Sequence, residues 1–137
     1  MADVSELVKA IFATFSQRDI DAFLALCDPR VRFWPQGTAE HVARSEPYVG
    51  HDGIRQYFAD VARAWRTLEL LPGELRVAGD GVVAFGRARG IRRDGEAVDA
   101  PVIWVFKARN GVVVDMRTAI TAEQALRVAS DPSPPTA

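Results

Sequence analysis

Asp80 to Thr121 reads DGVVAFGRARGIRRDGEAVDAPVIWVFKARNGVVVDMRTAIT, and this stretch decides the fold. Its apolar or alternating runs are Val82 to Arg92, Pro101 to Lys107 and Val112 to Thr121. They are separated by Asp80-Gly81, Asp94-Gly95 and Asn110-Gly111, pairs that tolerate the backbone angles a tight hairpin needs. With Leu75 to Ala78 in front, the pattern predicts hairpins in series. Val102, Trp104 and Phe106 alternate with Ile103 and Val105, so both faces of that strand are apolar. A monomer would leave one of those faces partly wet, which points to a homodimer through the outer sheet face.

Upstream the period changes. Val4, Leu7, Val8, Ile11, Phe12 and Phe15 fall on one helical face, with Asp3 and Glu6 spaced as a capping-box variant. Gln17-Arg18 breaks the pattern, and Asp19 is placed to cap a short helix carrying Ile20, Phe23, Leu24 and Cys27, which Pro29 stops. Val31-Arg32-Phe33-Trp34-Pro35 then reads as a strand, and 36–49 as a long loop that covers or lines a site. Gly50-His51-Asp52-Gly53, with Asp52 as N-cap, opens a helix bearing Ile54, Tyr57, Phe58, Val61, Ala62, Trp65 and Leu68. Ala122 to Val128 closes the chain as a short helix.

Helices first and hairpins afterwards give an α+β class: a curved antiparallel sheet with N-terminal helices packed on one face, forming a cone with an internal pocket. The expected organisation is one domain over 1–129, followed by a disordered tail over 130–137 that includes Ser130-Asp131-Pro132-Ser133-Pro134-Pro135. At 137 residues and 48% hydrophobic content, one core is affordable and a second domain is not. The 17 basic and 18 acidic residues nearly cancel, which leaves no electrostatic footprint for nucleic acid or an anionic membrane. Cys27 is the only cysteine, so no internal disulfide forms and no cysteine-built metal site exists. No apolar stretch reaches bilayer length, and Asp3 and Glu6 stand where a signal peptide needs basic residues; the expected compartment is the cytoplasm.

Three segments carry a family likeness: Arg18-Asp19-Ile20-Asp21-Ala22-Phe23, Tyr48-Val49-Gly50-His51-Asp52-Gly53-Ile54-Arg55 and Arg109-Asn110-Gly111-Val112-Val113. In their order and spacing they resemble SnoaL-like proteins of the nuclear transport factor 2-like superfamily, over about residues 3 to 128. The resemblance implies the cone and a dimer, but no single chemistry, because the superfamily hosts isomerases, dehydratases, epoxide hydrolases, polyketide cyclases and non-catalytic pockets. Carried over from ketosteroid isomerases, the tyrosine donor falls about at Ile11, the general base at Trp34 and the protonated acid at or beside Ile103. All three are apolar, so this set supplies neither a base nor an oxyanion donor. The acid on the last strand of the epoxide hydrolases falls about at Thr118.

The expected ligand-contacting residues are Trp34, Tyr48, Phe58, Arg87, Ile103, Met116 and Thr118. Trp34 marks the mouth of an apolar cavity; Tyr48 and Tyr57 could present hydroxyls to a ligand, but Tyr57, on the apolar helix face, reads first as core, and Trp65 and Trp104 read first as packing residues. Arg87 and Arg89 share a strand face with Phe85 and Ile91, so they face either the cavity or solvent. A two-residue Asp94-Gly95 turn pairs Arg89 with Ala100, while one extra turn residue brings Asp99 onto the arginine face. A catalytic set, if the chain has one, would be Asp99 as acid or base, Arg89 as charge stabiliser and His51 as an alternative base. His41 and His51 show no metal-ligand spacing, and Gly79-Asp80-Gly81 is turn chemistry with no phosphate-loop context, so no metal and no cofactor are expected. The sequence therefore favours a protein that holds a small hydrophobic organic molecule. The alternatives are a cyclase, isomerase or lyase with a non-standard polar set, and a non-catalytic dimeric accessory domain.

Overall fold

The computed structural model describes residues 4–35, 45–119 and 121–130. The residues that alternate or carry turn pairs form strands: β1 (Cys27–Trp34), β2 (Tyr48–Val49), β3 (Trp65–Ala78), β4 (Gly81–Arg92), β5 (Ala97–Arg109) and β6 (Val112–Ala119). The helices are α1 (Val4–Ser16), α2 (Ile20–Ala25), α3 (Gly50–Ala64) and α4 (Ala122–Ser130). One six-stranded sheet runs β2-β1-β6-β5-β4-β3. The β3 to β6 run is the expected antiparallel meander, while β1 joins β6 in parallel, because the chain reaches β6 only after crossing the whole sheet. The architecture is α+β, a curved and unclosed cone.

The turns explain the registers. Asn110 (φ 54°) and Gly111 (φ 80°) close β5 onto β6 as a two-residue turn with both residues left-handed, pairing Arg109 with Val112. Between β4 and β5 the turn has one more residue: Gly95 (φ 95°) takes the left-handed position and Arg92 N–H donates to the Glu96 carbonyl. That extra residue sets Arg89 opposite Asp99 and Arg87 opposite Pro101, the second of the two registers weighed above. Register shifts in β3 between Trp65 and Thr67 and between Pro72 and Leu75 are bulges that bend the long β3–β4 ribbon. Gly86 permits the second bend, since a Cβ there would stand 2.2 Å from the Leu71 carbonyl oxygen.

Helix α1 buries Leu7, Val8, Ile11, Phe12 and Phe15, the stripe predicted from spacing. With α2 and α3 it covers the concave face, against Val31 and Phe33 of β1, Trp104 and Phe106 of β5, and Met116 of β6. Edge-to-face contacts of Phe12 with Trp104 and Phe106, at 5.0 and 5.5 Å between centroids, tie α1 to β5. Helix α4 lies on the opposite face, where Ala125 and Ala129 pack on Val83 and Val105. Part of the apolar outer face that suggested a dimer is thus covered by the chain itself.

Several boundaries differ from the sequence reading. Helix α2 ends at Ala25, and Cys27 opens β1, with Pro29 inside that strand. Helix α3 starts at Gly50 with Val49 as N-cap and no side-chain cap; Asp52 lies in the first turn and pairs with Arg55 at 2.8 Å. Trp65 and Leu68 belong to β3, and α4 extends to Ser130. Asp3, most of the 36–49 loop including His41, and the tail beyond Ser130 lie outside the described residues.

Candidate functional site

Alternation along the strands decides what the cone contains. Phe33 pairs with Met116, and Trp104 with Thr118, and these side chains point to the concave face. Two adjoining cavities lie there. The inner one, about 20 Å³, ends on Ile11, Phe12 and Phe15 of α1 and is closed by Phe106 and Met116. The outer one, about 80 Å³, is bounded by Pro35, Trp65, Leu68, Ala88, Val102 and Thr118. Phe33, Tyr57, Leu70 and Trp104 line both, so they form one stacked site. The inner space holds about one water; neither reaches the roughly 150 Å³ in which a buried benzene sits, so a ring-sized guest requires the side chains to yield.

Of the residues expected to contact a ligand, Met116 and Thr118 line these cavities. The other expected contacts do not. Trp34 pairs with Arg117 on the outer face, because it is Phe33 and Pro35 that point inward on this strand. Tyr48 is fully buried, and its hydroxyl donates to Asp60 Oδ2 at 2.6 Å. Phe58 packs behind the cavity wall, 5.2 Å from the Phe23 ring and 5.6 Å from Phe15. Ile103 sits on the outer face with Phe85 and Ala119, against the α4 cluster.

The catalytic set is likewise displaced. Arg87 Nε donates to Asp99 Oδ1 at 2.8 Å and Arg89 Nε lies 3.6 Å from Asp99 Oδ2, but all three side chains are about half exposed on the outer face. The Arg87 hydrogen bond and the two positive charges hold the Asp99 carboxyl below its usual range. Arg89 and Asp99 border a surface groove of about 410 Å³ with Thr67 and Glu69, on the other side of the sheet from the cavities. His51 Nε2 donates to the Cys27 carbonyl at 3.0 Å, stapling the start of α3 to β1. Burial pushes the Cys27 thiol up to about 12, which leaves it an inert packing group.

The lining also includes Phe33 and Leu70, which the sequence reading did not single out, and Tyr57, Trp65 and Trp104, which it read first as packing residues. Tyr57 is 3% exposed and packs edge-to-face on Phe33 at 4.6 Å. Gly90 makes room for Trp65, since a Cβ there would stand 3.0 Å from the indole ring. The inward neighbours of the mapped enzyme positions, namely Ile11 itself, Phe33 beside Trp34, and Val102 and Trp104 beside Ile103, are all apolar. The missing acid and base therefore stay missing after the shift of register. Among the described residues, no carboxylate, imidazole, amine or guanidinium lines either cavity, and no group of three His, Cys, Asp or Glu side chains is placed to hold a metal. No helix among them is long and apolar enough to cross a membrane.

A family model described as SnoaL-like domain matches residues 8–116. No curated protein matches the sequence. Among solved structures, the chain is similar to a nuclear transport factor 2-like protein of unknown function from Burkholderia pseudomallei K96243, at 21% identity and TM-score 0.78, covering 96% of this chain and 100% of that one. It is also similar to TerC co-crystallised with polyporic acid, at 24% identity and TM-score 0.75, over 89% and 96% of the two chains. A third is a protein with a ketosteroid isomerase-like fold from Catenulispora acidiphila DSM 44928, in complex with trimethylamine, at 14% identity and TM-score 0.71, over 93% and 94%. At these identities the likeness is one of fold.

Proposed function

The chain belongs to the SnoaL-like family, and from that premise we propose that it binds a small apolar organic molecule in the stacked cavities, as a cytoplasmic binding protein that does not run acid-base chemistry by the ketosteroid isomerase route. The observation that carries this is the lining. Phe33, Leu70, Trp104 and Met116 offer apolar surface, worth about 25 cal/mol per Å² removed from water, and the described lining holds no general base. Proton abstraction needs such a group within hydrogen-bond reach of the substrate. The small ligands held by two fold relatives, polyporic acid and trimethylamine, support a pocket role for the fold. For a homodimer, the surface we favour is the part of the outer face around Trp34 and Arg117, away from the α4 cluster; the oligomeric state in solution tests it.

The chain has three tryptophans, of which Trp65 and Trp104 line the site and Trp34 does not. Titration with cyclohexanone should change indole emission in the wild type and in Trp34→Phe. The Trp65→Phe/Trp104→Phe double variant, which keeps only Trp34, should show no change. A wild-type-sized response from that double variant would place the ligand elsewhere.

A further inference from the structure

The cavity is not chemically featureless. Tyr57 lines both of its halves and is 3% exposed, and its hydroxyl makes no hydrogen bond among the described residues. The oxygen is not sealed in the protein: among the described residues the fully buried side-chain polar atom without a partner is Arg92 Nε, so the Tyr57 oxygen still reaches open space, and the space its ring lines is the cavity. Its neighbour Tyr48 shows the ordinary arrangement: 5.5 Å away between ring centroids, the Tyr48 hydroxyl is bonded to Asp60. The position of Tyr57 is not loose either, since its ring is clamped by Phe15, Phe33, Tyr48 and Phe58. A rigid ring therefore holds an unused O–H beside an apolar hole.

We infer that Tyr57 is the polar anchor of the site and that the ligand is a neutral apolar molecule carrying one hydrogen-bond acceptor, a carbonyl-type oxygen, which takes the Tyr57 O–H. This rests on the pocket reading proposed above. A phenol donates more strongly than it accepts, which selects an acceptor on the guest. Neutrality follows from the described lining, which offers no counter-charge to repay the desolvation of an ion. Arg18, the cation whose charge acts on Tyr57, is spent elsewhere: its guanidinium donates to the Phe15 and Leu68 carbonyls at 2.5 and 2.7 Å and lies over the Phe15 ring at 4.1 Å. Burial pushes the Tyr57 phenol well above its ordinary range, and the Arg18 charge only partly offsets this, so the group remains a donor across physiological pH.

Cyclohexanone and methylenecyclohexane have nearly the same shape and differ by C=O against C=CH2. Calorimetric affinities for both, in wild type and in Tyr57→Phe, form a cycle in which their different partition from water cancels. The affinity ratio of ketone to alkene should fall about tenfold in Tyr57→Phe, the size of one buried hydrogen bond. Because the hydroxyl has no partner among the described residues, the variant should melt at the wild-type temperature or above. A ratio changed by less than twofold, with both compounds still binding, overturns the anchor and leaves the pocket reading standing. Failure of both compounds to bind the wild type overturns both. A melting temperature lowered by more than about 5 °C, or failure of the variant to fold, shows the hydroxyl committed within the protein and overturns the anchor.

Discussion

Tyr48→Phe removes the same oxygen atom as Tyr57→Phe, from a ring 5.5 Å away, yet the structure gives it the opposite consequence. Tyr48 is fully buried and Asp60 is 2% exposed, and the 2.6 Å bond between them joins β2 to α3. Asp60 also accepts from Gln56 Nε2 at 2.8 Å and from Arg63 at 2.6 Å, so the variant leaves a buried carboxylate with two of its three donors. A hydrogen bond to a charged group contributes about 1.5–3 kcal/mol. For a chain of this size that is a fall of roughly 5–10 °C in melting temperature, measurable by calorimetry. The pH dependence carries a sign as well. Burial alone would raise the Asp60 pKa, but the bonds from Tyr48, Arg63 and Gln56 outweigh it and hold the carboxyl below its usual range. A depressed carboxylate contributes stability that is fully present above its unfolded pKa of about 3.9 and is lost as pH falls through the folded value. The gap between wild type and Tyr48→Phe should therefore be constant near neutrality and narrow below about pH 4. An unchanged melting temperature at pH 7, or a gap that widens in acid, would refute the assignment of Asp60 as the charged partner.

Two further outcomes follow from the same geometry. Asp99→Asn should leave cyclohexanone affinity within twofold of wild type, because Asp99 and its two arginines stand on the far side of the sheet; a tenfold loss would return Asp99 to the site. Gly86→Ala puts a Cβ 2.2 Å from the Leu71 carbonyl and 2.9 Å from Pro72 Cα, backbone atoms that yield only if the β3 bulge moves, so a loss of about 3 kcal/mol or more is expected in urea unfolding. Wild-type stability there would show that the strands are not in contact at that point.

The fold was legible wherever a local signal had one structural solution. The i, i+3, i+4 stripe of α1 has only one helical face to bury, and Asn110-Gly111 has only one hairpin turn that uses two left-handed residues. The misreadings arose where a bulge imitated another period. Trp65 and Leu68 are both buried three residues apart, which continues the helical spacing of Val61, yet they lie in a strand whose register shifts between Trp65 and Thr67. The inserted residue turns a period of two into a period of three. Val113 and Met116 show the same three-residue step, across the irregularity opposite Lys107 and Ala108.

The candidate site was less legible because its chemistry hangs on parity alone. In β1, β4, β5 and β6 the concave residues include Phe33, Ala88, Val102, Trp104, Met116 and Thr118, and the convex ones include Trp34, Arg87, Arg89, Asp99 and Arg117. A one-residue slip would exchange these two sets and replace an apolar pocket with one carrying arginines and a carboxylate. Nothing in the residue types chooses between the two. The choice is made by the third residue of the turn at Arg93-Asp94-Gly95 and by the pairing of Phe33 with Met116, and both place every ionisable group of these strands outside the described cavity. Among the described lining residues the hydroxyls are those of Thr118, on β6, and Tyr57, contributed by α3, where parity has no say, and it is on the Tyr57 O–H that the ligand selection proposed above turns.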